Sequence, residues 1–383
     1  MYCLNTNSIL YLCNRFEKHD MMDNKQLQSQ AITFLRFPLI VGVVFLHSYG
    51  STFNLQGFSI EQDVSYPIFE NLTYYISQVL ARVAVPFFFF TSGFLFFFNL
   101  SNWNIQVYIS KLKKRFRSLF IPYVFWISLA LLLFFVAQNI PFTAKFFTGK
   151  NLPIADYSLK DFLGAFWSAS DEGSRYPFLY PFWFIRDLMV IIILSPVVYA
   201  IIRYLKLAGI IILFSLWFFH AYSVTGLSLS CSFFFSLGAY FSINKLNVVD
   251  YACRFKYISL LYPILTIADL ITCHSDFNYI IHNLGIVIGI FFLFYVVAMG
   301  IKKEKLSISY FLSGASFFVF ATHEPWLRFI RRFLYVYIKP SSEIELILLY
   351  FIPAILIISL SLLVYWIMKK FTPRFLSLIS GNR

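Results

Sequence analysis

The sequence predicts an all-α, polytopic membrane protein with about ten transmembrane helices and both termini in the cytoplasm. Three observations predict it. Hydrophobic residues make up 59% of the 383 and charged residues only 13%, against about 45–50% and about 25% in soluble domains. About ten apolar stretches approach the roughly 20 residues that cross a bilayer core. The basic residues collect in alternate loops between those stretches, which sets orientation.

The stretches run roughly 31–50, 74–98, 119–138, 183–202, 208–223, 227–243, 256–272, 280–299, 308–328 and 344–368. The fifth and sixth are short and parted only by a Ser/Thr/Gly turn. Basic residues follow every even-numbered stretch: Lys111 to Arg117, then Arg203 and Lys206, then Lys245, Arg254 and Lys256, then Lys302 to Lys305, then Lys369, Lys370 and Arg374. The loop 51–73 fits the opposite side, with Glu61, Asp63 and Glu70 and no Lys or Arg. Arg331 and Arg332 break the pattern, and a re-entrant or interfacial segment after the ninth stretch would account for them. The longest loop, about 139–182, is rich in aromatics and is placed to cover an outer vestibule; loops of that length are usually functional or disordered.

Three regions follow: a polar N-terminal tail, 1–30, in which Met21 and Met22 offer alternative starts; a transmembrane domain, 31–370; and a cytoplasmic C-terminal tail, 371–383. The tail lacks the apolar core and cleavage site of a signal peptide. The aromatic share, 21%, suits lipid-facing and interfacial surfaces. The net charge of +13 is a topology signal and not a nucleic-acid surface, because it sits in short loops. Five scattered cysteines without a CxxC predict neither a disulfide framework nor a metal site. No internal repeat is visible, which weighs against many transporter folds.

Charges inside the apolar stretches carry the functional signal, because an ionisable group in a bilayer marks a functional site by default. Arg36 and His47 are eleven residues apart, three turns plus roughly 20°, so they share a helix face about 16 Å apart along the axis. Arg36 near the inner surface reads equally as a snorkelling anchor, and His47 as a hydrogen-bonded interfacial histidine. Arg82 enters the second stretch to a depth similar to that of His47, with Gly93 on its face; the bland alternative is an ion pair with Asp187. Trp183, Arg186 and Asp187 share a face at i, i+3, i+4, as a functional cluster or as an aromatic belt with an ion pair. His323 and Glu324 lie in the outer third of the ninth stretch, where Glu324 and Arg328 are also spaced for a local i, i+4 pair. The run Lys111 to Arg117, with Lys111, Lys114 and Arg115 close together on a helix, is a positive-inside and anionic-lipid determinant or a phosphate site. Together these residues suggest a tunnel, basic at its inner mouth and equipped for acid–base chemistry further out.

Arg36 to His47, an Arg and a His separated by ten residues, resembles the hallmark of the acyltransferase-3 family of integral membrane acyltransferases. "RVAVPFFFFTSGFLFF", "KLKKRFRSLFIPYVFW", "FWFIRDLMVIIILSPVV", "FFFSLGAYFS" and "FVFATHEPWL" agree with it in order, over about Ala31 to Lys370. The soluble SGNH-type hydrolase domain of some members is not in this sequence. The resemblance implies transfer of an acyl group, most often acetyl from acetyl-CoA, to a hydroxyl of a cell-envelope carbohydrate, in the inner membrane of a bacterium. It implies activity roles for Arg36, His47 and Arg82, and a looser one for His323. The candidate catalytic set is His47, Arg82, His323 and Glu324. Donor binding falls to Arg36, Lys111, Lys114 and Arg115, with Arg186, Asp187 and Gly93 in support. Acetyl-CoA is the expected donor, with carbohydrate and membrane lipid as partners and no metal. His47 is expected to act as general base or as an acyl relay, and Arg82 to stabilise an oxyanion. The competing reading is a transporter or flippase of a lipid-linked sugar or other envelope precursor.

Overall fold

Backbone groups in lipid have no water to bond, so long apolar runs fold as helices that satisfy themselves internally. The computed structural model of the chain describes residues 6–49, 66–100, 102–144, 147, 152–169, 175–222 and 224–381, with backbone alone for 6–23 and 142. Every predicted apolar stretch is helical, and no β-strand occurs among the described residues. The main helices are α1 (Thr6–Ser48), α2 (Pro67–Phe97), α3 (Ile105–Asn139), α4 (Trp183–Ile193), α5 (Lys206–Phe218), α6 (Leu229–Ile243), α7 (Tyr262–Ile271), α8 (Asn278–Lys302), α9 (Tyr310–Ile338) and α10 (Glu343–Phe371).

By length and hydropathy, six described stretches can cross a membrane: Asn24–Ser48 of α1, α2, α3, Ser195–Phe218, α8 and α10. This makes the chain a multi-pass membrane protein, with six described stretches that meet both criteria where the sequence predicts about ten spans. α6 is apolar but only 15 residues long, and α4 and α7 have 11 and 10. Ser195–Phe218 bends back at Lys206, where φ is +51°. Gly209 abuts Ile201, which a continuous helix would hold about 12 Å away. The basic loop predicted between the fourth and fifth stretches is therefore a sharp turn.

α1 lies at the centre, packed on α2, α8, α9 and α10. Its start does not behave as a free tail: Asn24 donates to Asp250 at 2.8 Å and buried Gln28 accepts from Val248 N at 2.6 Å. The far end is docked as well, since Trp126 Nε1 donates to the Ile379 carbonyl at 2.9 Å and Leu376 is buried. Phenylalanines supply much of the core. Phe87, Phe89, Phe90, Phe234, Phe235 and Phe294 are fully buried, so the aromatic content is interior as much as lipid surface.

α2 and α6 form a particularly close crossing. A Cβ added to Gly93 would strike the Phe235 carbonyl, and one added to Gly238 would strike the Phe90 carbonyl. Small residues at such crossings let two backbones touch. Gly93, expected from its shared face with Arg82 to support the site, is here a helix-packing residue.

α9 is two helices in one. Glu324 leaves helical geometry (φ −104°, ψ 138°) immediately before Pro325, as a residue preceding proline tends to. The break redirects residues 326–338, which is where the anomalous Arg331 and Arg332 lie. The acidic loop 51–65, including Glu61 and Asp63, lies outside the described residues.

Candidate active site

Successive turns of one face of α1 build the site. Arg36, Ile40 and Val43 line a cavity of about 400 Å³, and His47, one turn further, meets His323 of α9 with ring centroids 5.2 Å apart. The shared face of Arg36 and His47 is thus used at both ends. Arg115 lines the cavity beside Arg36, with Thr91, Ser92, Ser313 and Ser316 adding polar groups to the wall. Arg115 directly precedes a π-helical turn, Phe116–Phe120; such turns inside helices are frequent at functional sites. Lys111 does not line the cavity: its Nζ donates to the Phe96 carbonyl at 2.5 Å. Lys114 is exposed and is not part of the lining either. Of the predicted donor-binding set, the structure brings together Arg36 and Arg115.

Phe317 and Phe320 are among the residues that line the cavity, and neither histidine is. The Phe320 ring stacks on Phe182 at 5.5 Å and stands edge-on to Phe184 at 6.1 Å, with the His323 ring 5.9 Å away. The Phe320 ring thus stands between this cavity and the histidine pair.

His323 is fully buried and its Nδ1 lies 2.6 Å from the Phe320 carbonyl. A carbonyl only accepts, so Nδ1 carries the proton and Nε2 presents a lone pair in the neutral ring. That Nε2 is buried with no hydrogen-bond partner among the described residues. His47 is half-buried, with the Tyr180 ring edge-on at 5.4 Å. Arg331 is buried, and its Nη1 stands 3.5 Å from the His47 carbonyl. Arg82 and Arg328 are near enough for their charges to act on the His47 ring. Glu324 is buried, 4.0 Å from Arg328 Nε, so the local i, i+4 pair foreseen in the sequence is formed.

Arg82 does not pair with Asp187. Its Nε donates to Gln78 Oε1 at 2.9 Å, and Nη2 bonds the same oxygen. Its side chain is exposed and lies within electrostatic reach of Tyr49, Tyr74, Tyr176 and Tyr180. Asp187 is engaged elsewhere: Oδ1 accepts from Arg186 Nε and Nη2 at 3.1 and 2.9 Å, and Oδ2 from Ser228 N at 3.0 Å. Arg186 Nη1 also holds the carbonyls of Trp167 and Arg175 at 2.5 and 2.8 Å.

The buried pair of Arg186 and Asp187 is thus a fastening between α4, the long loop and the turn before α6, the ion-pair alternative of the sequence reading. The loop holds a short helix, Leu159–Ala165, started by a Ser158–Asp161 capping box. The hydrogen bonds from Ser158 keep the Asp161 carboxyl below its usual range. Anchored in this way, the loop brings Tyr180 against His47 and Tyr176 against Tyr180.

Breaking a buried pair by removing one charge typically costs about 3–5 kcal/mol. Asp187→Asn is accordingly expected to lower the unfolding temperature in detergent and to speed proteolysis within 159–178. An unchanged melting curve would show that the network contributes little.

Sequence reasoning missed Tyr180, Arg331 and Gln78. Tyr180 sits in the aromatic run "YPFLYPFW", which reads as an interfacial belt until the fold brings it to His47. Arg331 had a signal, its misfit with the charge pattern. Comparison with curated proteins and with solved structures finds no match. The family model for an acyltransferase domain of the acyltransferase-3 type matches residues 29–368, a range that contains Arg36, Arg115, His47 and His323. The chain therefore belongs to the acyltransferase-3 family and is a membrane acyltransferase.

Proposed function

We propose that the enzyme takes an acyl group, acetyl foremost, from acyl-CoA at the Arg36–Arg115 end and transfers it to a hydroxyl of a cell-envelope carbohydrate at the His47–His323 end. The observation that carries this reading is the single face of α1 that joins a basic cavity to a histidine pair. Arg is suited to phosphate because its planar fork donates two parallel hydrogen bonds, and CoA is rich in phosphate. The alternation of basic loops supports a cytoplasmic Arg36 end and cytoplasmic termini, on the side where acyl-CoA is found, which suits the inner membrane of a bacterium.

His47 has two routes. In direct transfer, an imidazole of the pair accepts the hydroxyl proton as the oxygen bonds to the acyl carbon. The carbon–sulfur bond then breaks and the CoA thiolate takes up a proton. In a relay, an imidazole nitrogen of His47 bonds the acyl carbon first, the thiolate leaves, and the hydroxyl displaces the histidine. The lone pair of His323 Nε2 suits the acceptor of that proton in either route. The charges of Arg82 and Arg328 near His47 favour the oxyanion that develops on the acyl oxygen.

Membrane vesicles supplied with labelled acetyl-CoA test the reading, together with mass spectrometry of envelope glycans from cells with and without the gene. Label in a glycan ester and a gene-dependent acetyl content are expected. Movement of a lipid-linked sugar with no acyl product would establish the transporter instead. Replacing Arg36 or Arg115 by Gln is expected to raise KM for acetyl-CoA by about 10–100-fold, because a hydrogen bond to a charged group contributes about 1.5–3 kcal/mol. A KM unchanged in both variants would remove them from donor binding.

A further inference from the structure

The unusual feature of the His47 end is the surroundings of Arg82. An arginine in the middle of a helix long enough to cross a membrane cannot face hydrocarbon cheaply, and this one is exposed. Its side chain is therefore expected to face water at the outer recess and not hydrocarbon. Tyrosines from three separate segments converge there: Tyr49 just past α1, Tyr74 in α2, and Tyr176 and Tyr180 from the anchored loop. Tyr49 and Tyr74 face each other at 6.3 Å, Tyr176 and Tyr180 at 4.5 Å, and Tyr180 abuts His47 at 5.4 Å. Tyr49, Tyr176 and Tyr180 keep 41%, 40% and 36% of their surface exposed. An interfacial belt would spread around the helices; these rings pair with one another within electrostatic reach of one cation.

The chemistry of that recess is specific. Tyrosine rings offer flat apolar faces and a polar tip, which match the C–H face and hydroxyl rim of a sugar ring. Arg82 has two N–H groups committed to Gln78, which fixes its plane and leaves its Nη1 edge for a ligand. Among the described residues, no carboxylate stands within ion-pair distance of it. A fixed guanidinium edge is suited to a carboxylate or phosphate.

We infer that the acceptor is an acidic carbohydrate, whose carboxylate or phosphate is held by Arg82 while its sugar rings stack on Tyr49, Tyr74, Tyr176 and Tyr180 beside His47. This rests on the proposed acyl transfer and narrows its acceptor. The anionic group fixes which sugar lies at the mouth, and therefore which hydroxyl reaches the histidines.

Binding tests this without any acyl transfer. The purified protein in lipid nanodiscs is titrated with a neutral galactose trisaccharide, the corresponding galacturonic acid trisaccharide, and galactose 6-phosphate, followed by calorimetry. At least one anionic probe is expected to bind ten-fold or more tightly than the neutral one, and whichever it is names the group. Arg82→Gln is expected to abolish the preference, Arg82→Lys to keep part of it, and Tyr74→Ala to weaken all probes. Equal binding of neutral and acidic probes, no binding of either acid, or an intact preference in Arg82→Gln overturns the inference. If it falls while glycan acetylation persists, the reaction stands and only the acceptor class is lost; acid-selective binding without acetylation removes the reaction instead.

Discussion

The His47→Ala enzyme is expected to transfer acyl groups about 10²–10⁴-fold more slowly than wild type, the range set by loss of a positioned proton acceptor. His47 is half-buried at the end of the cavity-lining face of α1 and in ring contact with both His323 and Tyr180. Its removal takes the reactive ring and leaves the Arg36–Arg115 cavity untouched, so acetyl-CoA binding should persist. His323→Asn separates the two rings. The amide can still donate to the Phe320 carbonyl, but the Nε2 lone pair is gone, and a fall of about 10²-fold is expected. Single-turnover measurement with labelled acetyl-CoA in the absence of acceptor then divides the routes. Label on a peptide containing His47 establishes the relay; label that stays on CoA until sugar is added establishes direct transfer. Full activity in His47→Ala would remove the histidine from the chemistry altogether.

The largest effect on stability is expected at the crossing of α2 and α6. Gly93→Val or Gly238→Val forces side-chain atoms onto a backbone carbonyl of the opposite helix. Neither backbone can yield without moving the phenylalanines packed around it. The loss should reach or exceed the upper end of the about 1–3 kcal/mol typical of overpacked cores, read as a lower unfolding temperature in detergent or failure to accumulate in the membrane. Gly285→Ala is the control. It lies within α8 with nothing near the added carbon, so a neutral change or a gain of about 0.5–1 kcal/mol is expected. Tolerance of Val at Gly93 and Gly238 would mean that the helices do not touch as closely as described.

Helix positions were legible in the sequence because apolar run length and helix formation are the same constraint in a bilayer. The Arg36–His47 face was legible because eleven residues close on three helical turns, a local property. Periodicity could not say which neighbour a face meets. Gly93 falls on the face of Arg82 by count, yet it meets α6, because a small residue serves a ligand or a helix equally well. Arg186 and Asp187 carried the signature of buried charge, but only the fold shows that their partners are loop carbonyls and Ser228. Tyr180 was invisible for the opposite reason: its proximity to His47 depends on a loop folding back and being fastened. Lys111 and Arg115 are one helical turn apart in the same basic run. One bonds the Phe96 carbonyl and the other lines the cavity, a difference set by packing and not by residue type.

The partition at Phe320 bears on the energetics of the whole membrane. A passage wide enough for a thioester arm would also carry water, and with it protons, down their gradient. In this chain the Phe320 ring, which lines the cavity and stacks on Phe182, stands between that cavity and the His323 ring. Where such rings stay closed, a proton at the histidine pair would meet no continuous water file back past Arg36. An enzyme of the proposed kind, handing an acyl group from one face of a membrane to the other, would in this way leave the proton-motive force intact between turnovers.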